Sequence, residues 1–497
     1  MPSHFQALSL LILSLYSAAS GALPTSCGLE DSLTSCLAQA SVPYAPRNST
    51  QWTQDTKPYN LRLPYTPAAV AIPTTIQHIQ AAVRCGSQNG VRVSAKSGGH
   101  SYGSFGFGGE DGHLVIVLDA MDKVTLHKDM SCTIQPGARL GRVASELFSF
   151  NQRALAHGTC PGVGITGHAL HGGYGMASRT YGLTLDSFVG ATVVLPNGTI
   201  RLSSDWDTPD LNWALKGAGS SFGIMAELDF RTFEAPDIVT TFRIELDWEK
   251  DEAVEGLLAF QEFGARAPRE MNVQIFMGPN GQAIQGAYYG TREGLNNVLR
   301  TLLGEINAQI TKAETMGWLE SVKHFAGDQD LNQRRPYDQH GTFYTTSLVT
   351  HALTRGQVES LVNALFTNAK DPSARHSWYL LLDVFGGPNS AISDKAPSDT
   401  AFPHRDKLLL YQFSDGGSNG EYPEEGFALL KGFRESVTAS MAEGEWGMYA
   451  NYLDTQLDGE TATRLYYGQN LQRLRRIKAE YDPDDVFWNP QGIRPAE

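Results

Sequence analysis

The chain has 497 residues, enough for two or three domains with their own cores, and 41% of them are hydrophobic. Its formal net charge is −14 and it carries no long Lys/Arg run, which excludes a polyanion such as nucleic acid as a partner. Fifty glycines and 10% aromatic residues suit a ligand-binding enzyme of mixed strands and helices better than a helical scaffold.

Residues 7–16 form an apolar run and residues 17–22 are small, the pattern of a secretory leader cut near Gly21 or Ala22. The leader is unusual in offering His4 and no Lys or Arg before the apolar run. No other run reaches the ~18 apolar residues a membrane helix needs, so we expect an extracellular chain with no membrane contact. Sequons at Asn48 and Asn197 are compatible with that route. Of the five cysteines (Cys27, Cys36, Cys85, Cys132, Cys160), one is left over if the others pair.

Residues 31–40 read as a short helix and residues 43–67 as irregular. Pro73 introduces a helix with Ile76, Ile79 and Val83 on one face, ended by Gly86 or Gly90. A short strand holding Val91, Val93 and Ala95 then runs into S-G-G-H-S-Y-G, residues 97–103. Glycine lets backbone approach a ligand closely and turn its N–H groups outward, and successive N–H groups make an anion-binding concavity. A phosphate-bearing cofactor is therefore expected here, beside the imidazole of His100 and the phenol of Tyr102.

Residues 114–118 and 132–135 read as strands, the second burying Cys132, and residues 143–147 belong to an amphipathic helix. A second glycine tract, residues 158–175, carries Cys160 and leads into a strand within residues 185–196. A third, residues 213–223, precedes a strand at 224–230. Beyond residue 235 the texture changes to longer strands, 240–248, 272–290, 378–385 and 407–413. Helices at 254–263, 295–310 and 356–366 separate them, which predicts an α+β layer with one sheet covered on one face. Near Asp454 the character shifts again, to a basic helix through Arg464 and Arg476 and a terminal Y-D-P-D-D-V-F.

His100 and Cys160 both sit inside glycine turns, and neutral imidazole and thiolate are the side chains best suited to attack an electrophilic ring. Two such nucleophiles on two loops suggest a cofactor held covalently at two points. A metal is the competing reading, since His157, His168 and His171 cluster with Cys160. No carboxylate or second cysteine completes a familiar zinc set, so no metal is expected. Asp383 interrupts the apolar run W-Y-L-L-L-D-V-F and is costly to bury unpaired. Tyr449 and Tyr452 in Y-A-N-Y are, on the residues alone, sheet aromatics first.

S-G-G-H-S-Y-G followed by G-T-C-P-G-V-G, with L-T-L-D-S at Leu183, Y-A-N-Y at Tyr449 and the terminal Y-D-P-D-D-V-F, resembles the vanillyl-alcohol-oxidase-type flavoproteins. Among these the chain is most similar to the fungal oligosaccharide oxidases, with a berberine-bridge-like C-terminus. The resemblance spans nearly the whole mature chain. It implies an α+β fold with a two-part FAD-binding domain (23–236 and 449–497, after a 1–22 leader) and a substrate domain of antiparallel sheet covered by helices (237–448). It implies FAD bonded at the 8α-methyl to His100 and at ring position 6 to Cys160. Ser97, Gly98, Gly99, Ser101, Tyr102, Gly164, Gly167, His168, Gly172, Gly173, Tyr174, Gly175, Gly223 and Ile224 would contact that cofactor.

The resemblance further implies a Cys36–Cys85 disulfide, Tyr452 as the base for a sugar hydroxyl, and Asp383 set against it to accept the phenol's hydrogen bond. A free tyrosine, with a pKa near ~10, needs such help. Tyr102, Gln274, Gln412 and Tyr452 would contact the sugar. The resemblance implies glutamine at the Gln274 position in chito-oligosaccharide oxidases and arginine in gluco-oligosaccharide oxidases, which leans toward tolerance of an N-acetyl group and leaves xylo- and cello-oligosaccharides open. Leu381 stands where gluco-oligosaccharide oxidases carry a glutamine, and His171 where relatives have glycine. Tyr288, Tyr289, Trp378 and Tyr379 are candidates for stacking on sugar faces. The implied activity is oxidation of an oligosaccharide's reducing end to a lactone, oxygen becoming hydrogen peroxide, by a monomer. The alternatives are a berberine-bridge-like oxidase of another alcohol or amine, and a non-catalytic carbohydrate-binding protein whose glycines serve only turns.

Overall fold

The computed structural model describes residues 26–327, 329–333, 335, 337–369, 377–416 and 421–496. The expected leader, residues 1–22, lies outside them, as does the side chain of Cys27.

Among the described residues two larger sheets build the first part of the chain, beside a short pairing of Arg153–Ala154 with Phe233–Glu234. Ala69–Ala71, Leu114–Val117 and Val93–Lys96 form a parallel trio with Leu114–Val117 in the middle. All four residues of that central strand are buried, as a parallel strand covered on both faces requires. The amphipathic helix Ile76–Gln88, capped by the Thr75 side chain, lays Ile79, Ala82 and Val83 on it. Cys85 on that helix is bonded to Cys36 on the helix Ser26–Gln39, as the resemblance implies. Beside the trio lies an antiparallel sheet ordered Val124–Leu126, Ser131–Ile134, Ile224–Arg231, Phe188–Val194, Ile200–Ser204. Cys132 is buried in it, as expected.

The C-terminal segment returns to this first part. Its basic stretch is two helices, Gly459–Tyr467 and Leu471–Tyr481, broken at Gly468, whose φ is +46°. They share a core with Val143, Leu147 and Trp213. Lys478 is fully buried, where it pairs with Asp482 at 2.6 Å and donates to the carbonyl of Ser221 at 2.8 Å. That anchors the terminal helix to the third glycine cluster.

Residues 239–447 form the predicted second layer. Among the described residues its sheet has eight strands, in the order Lys312–Met316, Val239–Leu246, Gly281–Tyr288, Met271–Gly278, Tyr379–Val384, Leu409–Gly416, Phe343–Thr350, Trp446–Gly447. Every neighbouring pair is antiparallel. Side chains alternate across a strand. Val273, Ile275, Met277, Leu380, Leu382, Val384, Tyr411 and Phe413 turn one way, into a core with the helices Lys250–Arg266, Arg355–Ala369 and Glu424–Thr438. The opposite face turns toward the first part of the chain and carries the polar residues of interest.

Three features depart from the sequence reading. The stretch 43–67 contains a helix, Thr50–Thr56, whose N-cap Ser49 accepts from the Trp52 amide. Residues 272–290 are two strands joined at Gly281, whose φ is +141°. The strand Phe343–Thr350 and the helix Glu424–Thr438, with no distinctive local pattern, emerge only from their packing.

Candidate active site

The first two glycine tracts meet. Gly98 and Gly164 approach so closely that a Cβ on either would overlap the other's backbone nitrogen, so only glycine fits both positions. Arg139, buried just before the helix Leu140–Ser149, holds the loops together. Its Nη1 donates to the carbonyl of Gly98 at 2.7 Å and to that of Gly162. Around this junction a single cavity is lined by Ser97, Gly98, Gly99, His100, Ser101 and Tyr102 from the first tract. Cys160, Gly164, Gly167 and His168 from the second line it too, with Gly223 and Ile224 from the third and Tyr452 from the C-terminal segment.

Gly172, Gly173, Tyr174 and Gly175, expected at the cofactor, do not line this cavity. They sit one layer behind it. The φ values of Gly172 and Gly173 are +128° and +84°, and the turn they make delivers the amides of Gly173 and Tyr174 to the Tyr449 hydroxyl, at 2.8 and 3.1 Å. Their glycines serve backbone conformation and close packing.

Tyr59 stacks on His100 with ring centroids 4.1 Å apart, and Tyr337 lies 4.9 Å away. Neither ring nitrogen of His100 makes a hydrogen bond within the described residues, and Nε2 is buried. Burial, with the Arg139 cation nearby, pushes its pKa down to about 3, so the imidazole is the neutral, nucleophilic form. Cys160 opens to the cavity, but the enclosing walls push its thiol up, so proton removal must accompany any attack by its sulfur. An orphaned neutral imidazole, a reachable thiol and a glycine-walled cleft fit a planar dinucleotide bonded at two points.

The histidines of the metal reading are used otherwise. His168 Nε2 accepts from the Gly158 amide at 2.9 Å. His171 bridges the Gly167 carbonyl and the Ser220 hydroxyl, each at 2.9 Å, tying the second glycine tract to the third. Among the described residues no three His, Cys, Asp or Glu side chains converge as metal ligands.

The polar face of the sheet adjoins the cavity where Gln412 meets Tyr102, although none of its described residues, Gln274, Asp383 and Gln412 included, lines the cavity itself. Gln274 stands directly opposite Asp383, and Gln412 opposite Leu381, all on the face away from the helical core. Tyr102 and Tyr452 stack nearly parallel, centroids 6.3 Å apart, and Gln412 Nε2 reaches the Tyr102 hydroxyl at 3.4 Å. Burial pushes the Tyr452 phenol far above the usual tyrosine range, and pushes Asp383, 2% exposed, up to about 7. The phenol that donates to Asp383 is Tyr174, at 3.0 Å, where the resemblance led us to expect Tyr452. The Asp383 charge nonetheless reaches Tyr452 and disfavours its phenolate.

Of the four aromatics proposed for sugar stacking, Tyr379 alone lies on the site-facing side. Trp378 is buried against Phe433, Tyr288 packs on the helical core, and Tyr289 donates to the Met176 carbonyl. The sequence reading missed Tyr59, Arg139 and Asn451. Tyr59 sits in a stretch without periodicity and Arg139 looks like any residue before a helix. Asn451, which donates to the His168 carbonyl and to Tyr449, lay inside the recognised Y-A-N-Y.

Models of known families match two segments. The FAD binding domain covers residues 67–203, and the berberine and berberine-like model covers residues 448–494. The chain is 48% identical to the chitooligosaccharide oxidase of Gibberella zeae, over 99% of each protein. It is 45% identical to the xylooligosaccharide oxidase of Thermothelomyces thermophilus, over 93% of this chain and 94% of the relative. It superimposes with a TM-score of 0.91, at 40% identity and over 94% and 99% of the two chains, on the glucooligosaccharide oxidase of Acremonium strictum, whose FAD is 6-S-cysteinyl and 8α-N1-histidyl.

Proposed function

The chain belongs to the oligosaccharide oxidases, FAD-dependent flavoproteins of the vanillyl-alcohol-oxidase type, and from that premise we propose that it is an exported enzyme oxidising the reducing-end anomeric carbon of oligosaccharides to the lactone. One observation carries the reading: His100, Cys160 and Tyr452 line the same cavity, with the polar face of the sheet beside it.

In this reading His100 and Cys160 each bond the flavin ring, and the Gly98–Gly164 junction, clamped by Arg139, brings the two attachment loops together. When bound, FAD accepts hydride from the anomeric carbon and passes two electrons on to oxygen, giving hydrogen peroxide. Tyr452 takes the proton of the anomeric hydroxyl. Its own phenolic proton passes to Asp383, which must be a carboxylate to receive it. Tyr102, stacked on Tyr452, floors the sugar site, and Gln412 and Gln274 offer it amides. The resemblance sets arginine at the Gln274 position in gluco-type oxidases, and an uncharged amide there leans toward tolerance of an N-acetylated reducing end. The exposed Asn48 and Asn197 and the Cys36–Cys85 bond suit export and glycosylation.

Two measurements test this. Peroxide release from the holoenzyme with chitobiose, cellobiose, xylobiose and lactose should be greatest for the N-acetylated sugar, and silence across the panel refutes the substrate class. After acid denaturation, yellow colour should stay with the unaltered chain and with His100→Ala or Cys160→Ala alone, and leave the double variant.

A further inference from the structure

Tyr174 stands behind the cavity wall, and its hydroxyl goes to the carboxylate on which the proposed proton transfer depends. Opposite Asp383 in the sheet are Gln274 and Leu410, neither of them ionisable. The titratable groups facing it are Tyr174 and Tyr452, with Tyr449 packed against both. Asp383 Oδ1 accepts from Tyr174, and Oδ2 has no hydrogen bond within the described residues.

Tyr174 is itself firmly held. Its amide donates to Tyr449 at 3.1 Å and its ring packs on Phe385 at 5.3 Å. The charge of Arg179 acts on the Tyr174 phenol, and Arg179 is fully buried with no carboxylate paired to it among the described residues. Arg179 Nη2 reaches only the Ala267 carbonyl at 3.3 Å, while Nε and Nη1 have no partner. A buried cation left without a counter-ion is costly, and one retained beside a phenol makes that phenol a stronger donor.

We propose that Tyr174 is a positioning residue for the proton transfer, polarised by Arg179, which holds Asp383 by Oδ1 and leaves Oδ2 for the proton of Tyr452. The proposal rests on the functional reading above. A hydrogen bond donated to a carboxylate favours its ionised form, against the desolvation that burial imposes. Removing the Tyr174 hydroxyl therefore moves Asp383 toward protonation and the acid limb of kcat toward higher pH.

The test is Tyr174→Phe in the full-length holoenzyme, which keeps the ring and its packing. Infrared titration follows the protonated-carboxyl band, assigned to Asp383 by its loss in Asp383→Asn. The midpoint is expected to rise by about one to two pH units, the size of a bond to a charged group. The acid limb of kcat should follow it, with KM and bound flavin unchanged. A band titrating at the same pH in both proteins overturns the proposal. Arg179→Gln should produce a smaller shift in the same direction, and no shift there removes Arg179 from the argument. A shifted band in an enzyme that oxidises no sugar would sustain the Tyr174–Asp383 link and overturn the functional reading instead.

Discussion

The glycine cradle and the polar face of the sheet adjoin one another at Tyr102 and Gln412, and they are built by different means. In the cradle the working element is backbone. Gly98 and Gly164 touch, and Arg139 binds the carbonyls of Gly98 and Gly162 while pairing with Asp119 at 3.6 Å. On the sheet the working element is side chain, and Gln274, Asp383 and Gln412 converge because antiparallel register sets them on one face. At the Gly98–Gly164 contact such a cradle is intolerant of an added Cβ. A sheet face accepts substitution and changes its chemistry instead.

The largest effect expected tests the sheet side. Tyr452→Phe should lower kcat by about 10²–10⁴-fold while flavin content stays full, because it removes a proton acceptor and nothing structural. Stopped-flow reduction by an oligosaccharide measures it, and a loss below tenfold would mean Tyr452 is not the base.

The next is pH dependence. Asp383 must be ionised to act, and burial raises it to about 7, so kcat should fall tenfold per unit as pH drops below that value and level off above it. Asp383→Asn should abolish that limb. The same ionisation enters stability with the opposite sense. A carboxyl raised above its unfolded value of 3.8 binds more protons when folded, so its contribution to stability is present below about pH 4 and is lost as pH rises toward 7.

Two further tests address the cradle side. Breaking Cys36–Cys85, which closes a separation of 49 residues, should cost about 3–4 kcal/mol in denaturant unfolding and leave kcat intact. Gly164→Ala drives a methyl group into the Gly98 backbone and the Ser97 hydroxyl, and should cost about 1–3 kcal/mol together with reduced flavin incorporation. Unimpaired incorporation would show the cradle to be softer than its contacts imply. Smallest of all, Asn48→Gln and Asn197→Gln should each remove a glycan seen by mass while shifting stability by less than about 0.5 kcal/mol.

The cradle was legible from the chain because its function is local. S-G-G-H-S-Y-G and G-T-C-P-G-V-G each state, within a few residues, where backbone is freed and which nucleophile stands beside it. The covered sheet was legible too, since aliphatic strands alternating with helices leave few other layouts. Family resemblance, rather than any local pattern, singled out Tyr452 among many tyrosines, whereas Asp383 was marked already by the apolar run it interrupts.

What folding alone could settle is anything that depends on two distant segments meeting. Tyr59 on His100, Arg139 across Gly98 and Gly162, and Tyr174 on Asp383 join residues 41, 41 and 23, and 209 positions apart. A one-residue slip in register would turn Asp383 from the site into the helical core, and the strand's own residues do not forbid it. Short-range chemistry is written in the order of the residues. The pairing of donors with acceptors waits on packing, because a hydrogen bond depends on a few tenths of an ångström that the chain sets only once it has closed on itself.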